Sequence, residues 1–252
     1  MSAGNLQLCG GQKSGAEIAI RAATELFEDD ASHGILQIDA NNAFNSLNRK
    51  VALHNLRILC PELAIFTNNC YAAPARLFIS GGQEIKSTEG TTQGDPTAMA
   101  MYAISILPLH DTRSKAKKIS FADDFSGVGT IQHLREWWDL IEELGPYIGY
   151  HQNGSNSTLV VKKQNLEQAN MVFANTGITI TCDGTKHLGT YIGDENFKSV
   201  YVKRKVGDWI DENIELARIV RIHPDVTYVT FTQGLQHRYL QIYLHYENYK
   251  QH

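Results

Sequence analysis

Two successive carboxylates, Asp123-Asp124, interrupt what would otherwise be one largely apolar stretch from Lys118 to Gly129. Like charges side by side are too costly to bury in mid-strand without a counter-charge, so the chain has to turn at this point. The pattern predicts a hairpin, Lys118 to Phe121 and Phe125 to Gly129, with the carboxylates near its tip. A second short apolar run, Gly34 to Asp39, also ends on a carboxylate and is followed by a turn and a helical pattern from Asn48 to Pro61. Adjacent antiparallel strands would bring Asp39 beside Asp123 and Asp124.

The remaining pattern fits the same layout. Ser14-Gly-Ala-Glu17 has the form of a capping box opening a helix over 14–28, with Ile18, Ala22 and Leu26 at helical spacing. Gly81-Gly82 separates Arg76 to Ser80 from Glu84 to Ser87 and predicts a tight hairpin. Thr97 to Leu107 is small and apolar enough for a buried helix. Ile131 to Leu144 places Leu134, Trp138 and Ile141 on one face and is expected to stop at Gly145-Pro146. Leu159 to Val161, Ile178 to Thr181 and Thr190 to Ile192 are further strand candidates. Without a regular βαβ rhythm, and with two hairpins, these elements predict an α+β fold on a mostly antiparallel sheet. Residues 197–252, with Lys203-Arg204-Lys205 among aromatics, read as a mainly helical end.

Length and composition narrow the class. At 252 residues and 42% hydrophobic side chains the chain is long enough for a sizeable core and is not of disordered composition. Its longest weakly polar run, Thr97 to Leu109, is too short to span a bilayer and holds Pro108, so no membrane partner is expected. Residues 1–30 lack the basic and apolar regions of a signal peptide, and the expected address is intracellular, nucleus or cytoplasm. Cys9, Cys60, Cys70 and Cys182 form no CxxC pair, and reduced thiols are expected. A net charge of −4 argues against binding nucleic acid through phosphate contacts alone. Cys9-Gly-Gly-Gln-Lys13-Ser14 lacks the spacing of a phosphate loop.

Clustered carboxylates repel one another unless a cation offsets them, and a set of hard oxygens suits Mg²⁺ or Mn²⁺ rather than zinc. Two such ions serve phosphoryl displacement. Taken alone, an Asp-Asp pair is far more often a solvated turn; here it has company. Asp39-Ala-Asn-Asn-Ala43-Phe44-Asn, then Glu89-Gly-Thr-Thr-Gln93-Gly94-Asp-Pro, then Phe121-Ala-Asp123-Asp124 resemble motifs A, B and C of reverse transcriptases in order and separation. The resemblance is nearest to retrotransposon enzymes without long terminal repeats and their relatives. It extends to His187-Leu188-Gly189-Thr-Tyr-Ile-Gly193, which is similar to the primer grip, and covers roughly residues 5–195.

The resemblance implies a polymerase palm with a ferredoxin-like βαββαβ core and helices on one face. Its divisions would be an N-terminal helix and partial fingers over 1–38, a palm over 34–195 with a finger-side insertion at about 50–88, and a partial thumb over 196–252. It implies an RNA-directed DNA polymerase with Asp39, Asp123 and Asp124 as catalytic carboxylates. These and the Ala40 carbonyl would hold two ions. Ala43, Phe44, Gln93 and Gly94 would bind the nucleotide, and Leu188 and Gly189 the primer. The implied partners are an RNA template, a DNA primer and deoxynucleoside triphosphates; the sequence leaves the oligomeric state open. Phe44 would exclude a 2′-hydroxyl, Gly94 would allow close backbone approach, and Asp95-Pro96 would start the following helix.

The sequence also departs from that pattern. Where the family has Asn-x-x-Lys, this chain has Asn153-Gly-Ser-Asn156, an amide in place of a general acid of the kind worth about 10²–10⁴-fold. Thr97 replaces a usual Leu and Asn45 a frequent Asp. Only about 38 residues precede Asp39, with Lys13 and Arg21 as their Lys and Arg content. Two other readings therefore stand beside the polymerase: a catalytically silent derivative that binds nucleic acid or a partner, and a two-metal hydrolase. A sugar-excluding ring and a template contact disfavour the hydrolase.

Overall fold

The computed structural model describes residues 13–92, 94–110 and 112–237, which form two compact units dividing between Cys182 and Asp183. The first is built on a five-stranded sheet of order β4-β5-β1-β6-β7. Its elements in chain order are α1 (Gly15–Glu28), β1 (Gly34–Ala40), a single turn α2 (Ala43–Ser46), α3 (Arg49–Leu59), α4 (Pro61–Tyr71), β2 (Ala75–Phe78) and β3 (Glu84–Ser87). There follow α5 (Ala98–Ser105), α6 (Leu107–His110), β4 (Lys117–Phe121), β5 (Asp124–Gly129), α7 (Ile131–Ile148), β6 (Gln152–Val161), α8 (Leu166–Val172) and β7 (Thr179–Thr181). Strand β1 lies antiparallel between β5 and β6, and only the β6–β7 pair of this sheet is parallel. The expected α+β layout on a mostly antiparallel sheet is what forms.

Alternation along the strands places the core on both faces. Leu36, Ile38, Phe125 and Leu159 pack with Trp137, Trp138 and Ile141 of α7 and with Met101 and Tyr102 of α5. Ile35 and Val128, one residue out of phase, are buried as well. Helix α1, with Ala19, Ile20 and Ala23 buried, lies against β4, β5 and β1. Helices therefore cover both faces, where one was expected, because β1 and β5 carry apolar side chains in both phases.

Local chemistry explains further differences. Ser14 makes no side-chain cap and sits at φ 53°, so the capping-box pattern goes unused. Asn48 does cap α3, its side chain accepting from the Lys50 and Val51 N–H groups. Helix α7 runs through Pro146 and stops at Gly149, whose φ of 86° supplies the left-handed cap. Helix α4 was not anticipated: it buries only Ala64, Thr67 and Tyr71 and exposes Ile65 and Phe66, so its apolar positions do not trace one face.

The second unit holds β8 (Gly184–His187) and β9 (Thr190–Gly193), a hairpin, followed by α9 (Glu195–Ile219) and α10 (Pro224–Thr230). Asp194 caps α9 by accepting from the Phe197 N–H at 2.8 Å. Tyr191 and Tyr201 form its small core with Phe197, Val202 and Trp209. Among the described residues no helix is long and apolar enough to cross a membrane.

Candidate functional site

The register that pairs Ile38 with Phe125 sets Asp39, one residue on, level with Asp124 at the mouth of the sheet. Strands β4 and β5 close through Phe121 and Asp124, leaving Ala122 and Asp123 as a two-residue loop. Ala122 takes φ 56°, a conformation an L-residue with a Cβ adopts at a cost of about 1–2 kcal/mol. That cost presents Asp123, half-buried, toward the end of β1. Asp124 is exposed and opens β5.

On the other side of β1 the ladder is broken to suit Asp39. Gln37 pairs with Thr158 and Asp39 with Asn153, so Gly154 to Ser157 all face Ile38. In this bulge the Ser157 hydroxyl replaces a ladder carbonyl: it accepts from the Asp39 N–H at 3.1 Å and donates to the Asn153 carbonyl at 2.7 Å. Asn156 donates its amide to the Asp39 carboxylate at 3.1 Å. Asn156, which stands where the resemblance leads one to expect a lysine, is thus a hydrogen-bond partner of Asp39.

Desolvation pushes the Asp123 carboxyl above its ordinary range; the Asp123 backbone N–H offsets part of this, and the neighbouring Asp39 carboxylate adds to it. The two carboxylates are therefore close enough to repel. A hard divalent cation would offset that repulsion, and the all-oxygen donor chemistry of Asp39 and Asp123 fits one. Among the described residues, no three His, Cys, Asp or Glu side chains form a metal-holding group, so the donor set evident here is a carboxylate pair. Ala40 ends β1, half-buried.

Two phenols that sequence reasoning passed over lie behind the carboxylates. Tyr150 is buried, stacks on Phe125 at 4.8 Å and donates to the Asp123 carbonyl at 3.5 Å. Tyr102 is 1% exposed, and its hydroxyl is among the buried polar atoms without a hydrogen-bond partner. Leaving such a group unpaired costs about 1–3 kcal/mol. Burial, then the Asp123 and Asp124 charges, raises the Tyr102 phenol above its ordinary range. The signal available in the sequence was a single aromatic residue within the otherwise small, apolar α5.

Phe44 lies on the turn after β1, half-buried and stacked on Tyr102 with ring centroids 4.5 Å apart. Its turn is held from two directions. The Gly90 and Thr91 N–H groups donate to the Leu47 and Phe44 carbonyls, each at 2.8 Å, and the Asn48 N–H donates to the Ile148 carbonyl at 2.7 Å. Gly90 permits this approach because a Cβ there would stand 2.3 Å from the Asn45 carbonyl oxygen. Ala43 is buried in the same turn.

The segment leading to Gly94 is pinned by Arg49, a residue the sequence reading did not single out. Its guanidinium, on a side chain of a residue 6% exposed, donates to the carbonyls of Ser87, Glu89 and Gly90, and stacks over Tyr71. Tyr71 donates to Asp95 at 2.6 Å and accepts from the Thr92 N–H. Asp95 accepts from the Thr97 N–H and hydroxyl, each at 2.7 Å, and the Tyr71 bond with these holds its carboxyl below the usual range. Asp95 is an anchor of this loop. Gly94 takes φ 90° with open space where a Cβ would stand, so its conformation, not a close contact, requires glycine. Gln93 lies outside the described residues, as do Tyr239, Tyr243, Tyr246 and Tyr249.

In the second unit, Leu188 and Gly189 form the two-residue loop of the β8–β9 hairpin at φ 45° and 86°, positive at both positions as in a type I′ turn. Tyr201 donates to the Gly189 carbonyl at 2.9 Å.

No protein-family profile matches the chain, and no curated protein matches it significantly. Solved structures do share its fold. The telomerase of Candida tropicalis in complex with a TWJ fragment of telomeric RNA superposes with a TM-score of 0.52 at 13% identity, over 70% of this chain and 32% of that one. The apo form of the C. tropicalis enzyme gives 0.50 at 10% identity, over 71% and 34%. The chain thus spans about a third of the length of these neighbours. Telomerase is a reverse transcriptase, and at this identity the likeness to it is one of fold alone.

Proposed function

We propose that this chain is the RNA-directed DNA polymerase domain of a retroelement, adding deoxynucleotides to the 3′ end of a primer on an RNA template. The observation that carries the reading is the juxtaposition of Asp39 and Asp123, from separate segments, at one end of the sheet, in a fold shared with a reverse transcriptase. In this reading residues 1–38 are an N-terminal helix and partial fingers, 34–195 the palm with a finger-side insertion at about 50–88, and 196–252 a partial thumb.

Asp39 and Asp123, with the Ala40 carbonyl and Asp124 beside them, would hold Mg²⁺ or Mn²⁺, two ions in the full complement. Bound there, the ions supply activation of the primer hydroxyl and stabilisation of the charge that builds on the α-phosphate. The protein's own groups position the reactants. Phe44 would offer an apolar ring where a 2′-hydroxyl would stand, and the motif resemblance would give Gln93 and Gly94 contact with the nascent pair, and Leu188 and Gly189 contact with the primer.

Primer extension on an RNA template with deoxynucleotides and Mg²⁺ or Mn²⁺, beside Asp123→Asn, tests the reading. Product that vanishes in the variant supports it. The Asn156 amide on Asp39 favours a second reading, a silent derivative that binds nucleic acid. No product together with a retained gel shift on a primer–template would select that one.

A further inference from the structure

We infer that Tyr102 is a positioning residue for sugar selection, fixing the depth of the Phe44 ring and so deciding whether a 2′-hydroxyl can enter; this rests on the polymerase reading. The argument begins with freedom of movement. Phe44 is half-buried on a one-turn helix, and an aromatic side chain on so short an element has two soft torsions to swing through. The hydrogen bonds from Gly90, Thr91 and Asn48 fix the backbone of that turn but not the ring, which is positioned by its packing against the main core.

What the ring meets is Tyr102. The two planes stack at 4.5 Å with 28° between them, an offset arrangement that aromatic pairs favour. Tyr102 cannot yield, since it is 1% exposed in the middle of α5 and belongs to the main core with Met101 and Phe125. A half-exposed ring laid on an immovable one has one face and one depth to offer a ligand. A selective ring that could retreat by one rotamer would exclude nothing.

A merely structural role would be served by any side chain of similar volume at position 102, aromatic or not. A positioning role requires the flat ring. The test compares the full chain with Phe44→Val, Tyr102→Leu, Tyr102→Met and Tyr102→Phe, each checked for fold by circular dichroism. The readout is the ratio of kcat/KM for dATP over ATP in primer extension, with the Kd of each nucleotide measured by titration. Tyr102→Leu and Tyr102→Met are expected to lower the dATP preference by at least about tenfold, chiefly through tighter ATP binding. Tyr102→Phe, which restores the ring, is expected to keep the wild-type ratio. Phe44→Val combined with Tyr102→Leu should lose no more than Phe44→Val alone, because both act through one ring.

If Tyr102→Leu and Tyr102→Met stay folded and retain the wild-type ratio while Phe44→Val loses it, the inference is wrong and the polymerase reading stands. If Phe44→Val also retains it, sugar selection lies elsewhere and the inference again falls. If the wild type neither extends a primer nor discriminates in nucleotide binding, both readings fall together.

Discussion

His110 offers a quantitative check on the packing behind the β4–β5 hairpin. The residue is 4% exposed, its ring nitrogens lie 3.2–3.4 Å from the Ser120 hydroxyl, and the ring tilts against Phe125 at 4.8 Å. Burial, and then the nearby Lys118 charge, lowers its pKa from 6.5 to about 4. In the unfolded chain the imidazole takes a proton near pH 6.5, whereas the folded chain refuses it until about pH 4. The unfolded state therefore binds more protons between those values, and stability must fall as the pH drops through that window, levelling off beyond each end. At about 1.36 kcal/mol per decade over this window of about 2.5 pH units, the loss has an upper limit of about 3.4 kcal/mol. The assay is urea denaturation from pH 8 to 3.5, on the wild type and on His110→Gln, which keeps a polar partner for Ser120 and cannot titrate. Subtracting the two curves cancels the carboxylates common to both. The difference should open steadily below pH 6.5 in favour of the variant; parallel curves would refute the claim that His110 is held neutral by its surroundings.

Three further outcomes are expected. Asp123→Asn should raise the melting temperature in chelator, because a desolvated charge facing Asp39 is removed, and should abolish any stabilisation by added Mg²⁺; a lower melting temperature in chelator would contradict this. Gly90→Ala should cost about 2 kcal/mol or more, since its Cβ would meet the Asn45 carbonyl at 2.3 Å with φ at 73°. Equilibrium unfolding at wild-type midpoint would count against that. Leu188→Asn should stabilise the chain by about 1 kcal/mol, read by calorimetry, because Asn-Gly suits a turn with positive φ at both positions. If Leu188 touches a primer, the same change should weaken retention of primer–template in a gel shift.

The elements that frame the site could be read from the sequence because charge and periodicity agree there. Asp39 ends an apolar run and Asp123-Asp124 forces a turn, and β1 and β5 are indeed antiparallel neighbours. The supports of the site were hidden for identifiable reasons. Arg49 looked like an ordinary residue of a helical first turn, yet its guanidinium satisfies three backbone carbonyls about forty positions away. Tyr102 and Tyr150 carry no spacing signal, and only the folded chain brings them behind Asp123. Asn156 was read by what it replaced; its bond to Asp39 depends on a bulge that no local pattern announces. Strand β8, Gly184-Thr-Lys-His187, alternates nothing apolar and was missed on that account.

The four residues of β6 that answer Ile38 alone have a mechanical corollary. Below them, Gly34 to Gln37 are locked in step with Thr158 to Val161; above them, Asp39 and Ala40 follow a separate count. The slack works as an expansion joint between scaffold and mouth. Sequence changes at Ser155 and Asn156 can retune the surroundings of Asp39 while the register of the lower half stays put; Gly154 is the exception, since a Cβ there would stand 2.2 Å from the Thr176 carbonyl oxygen.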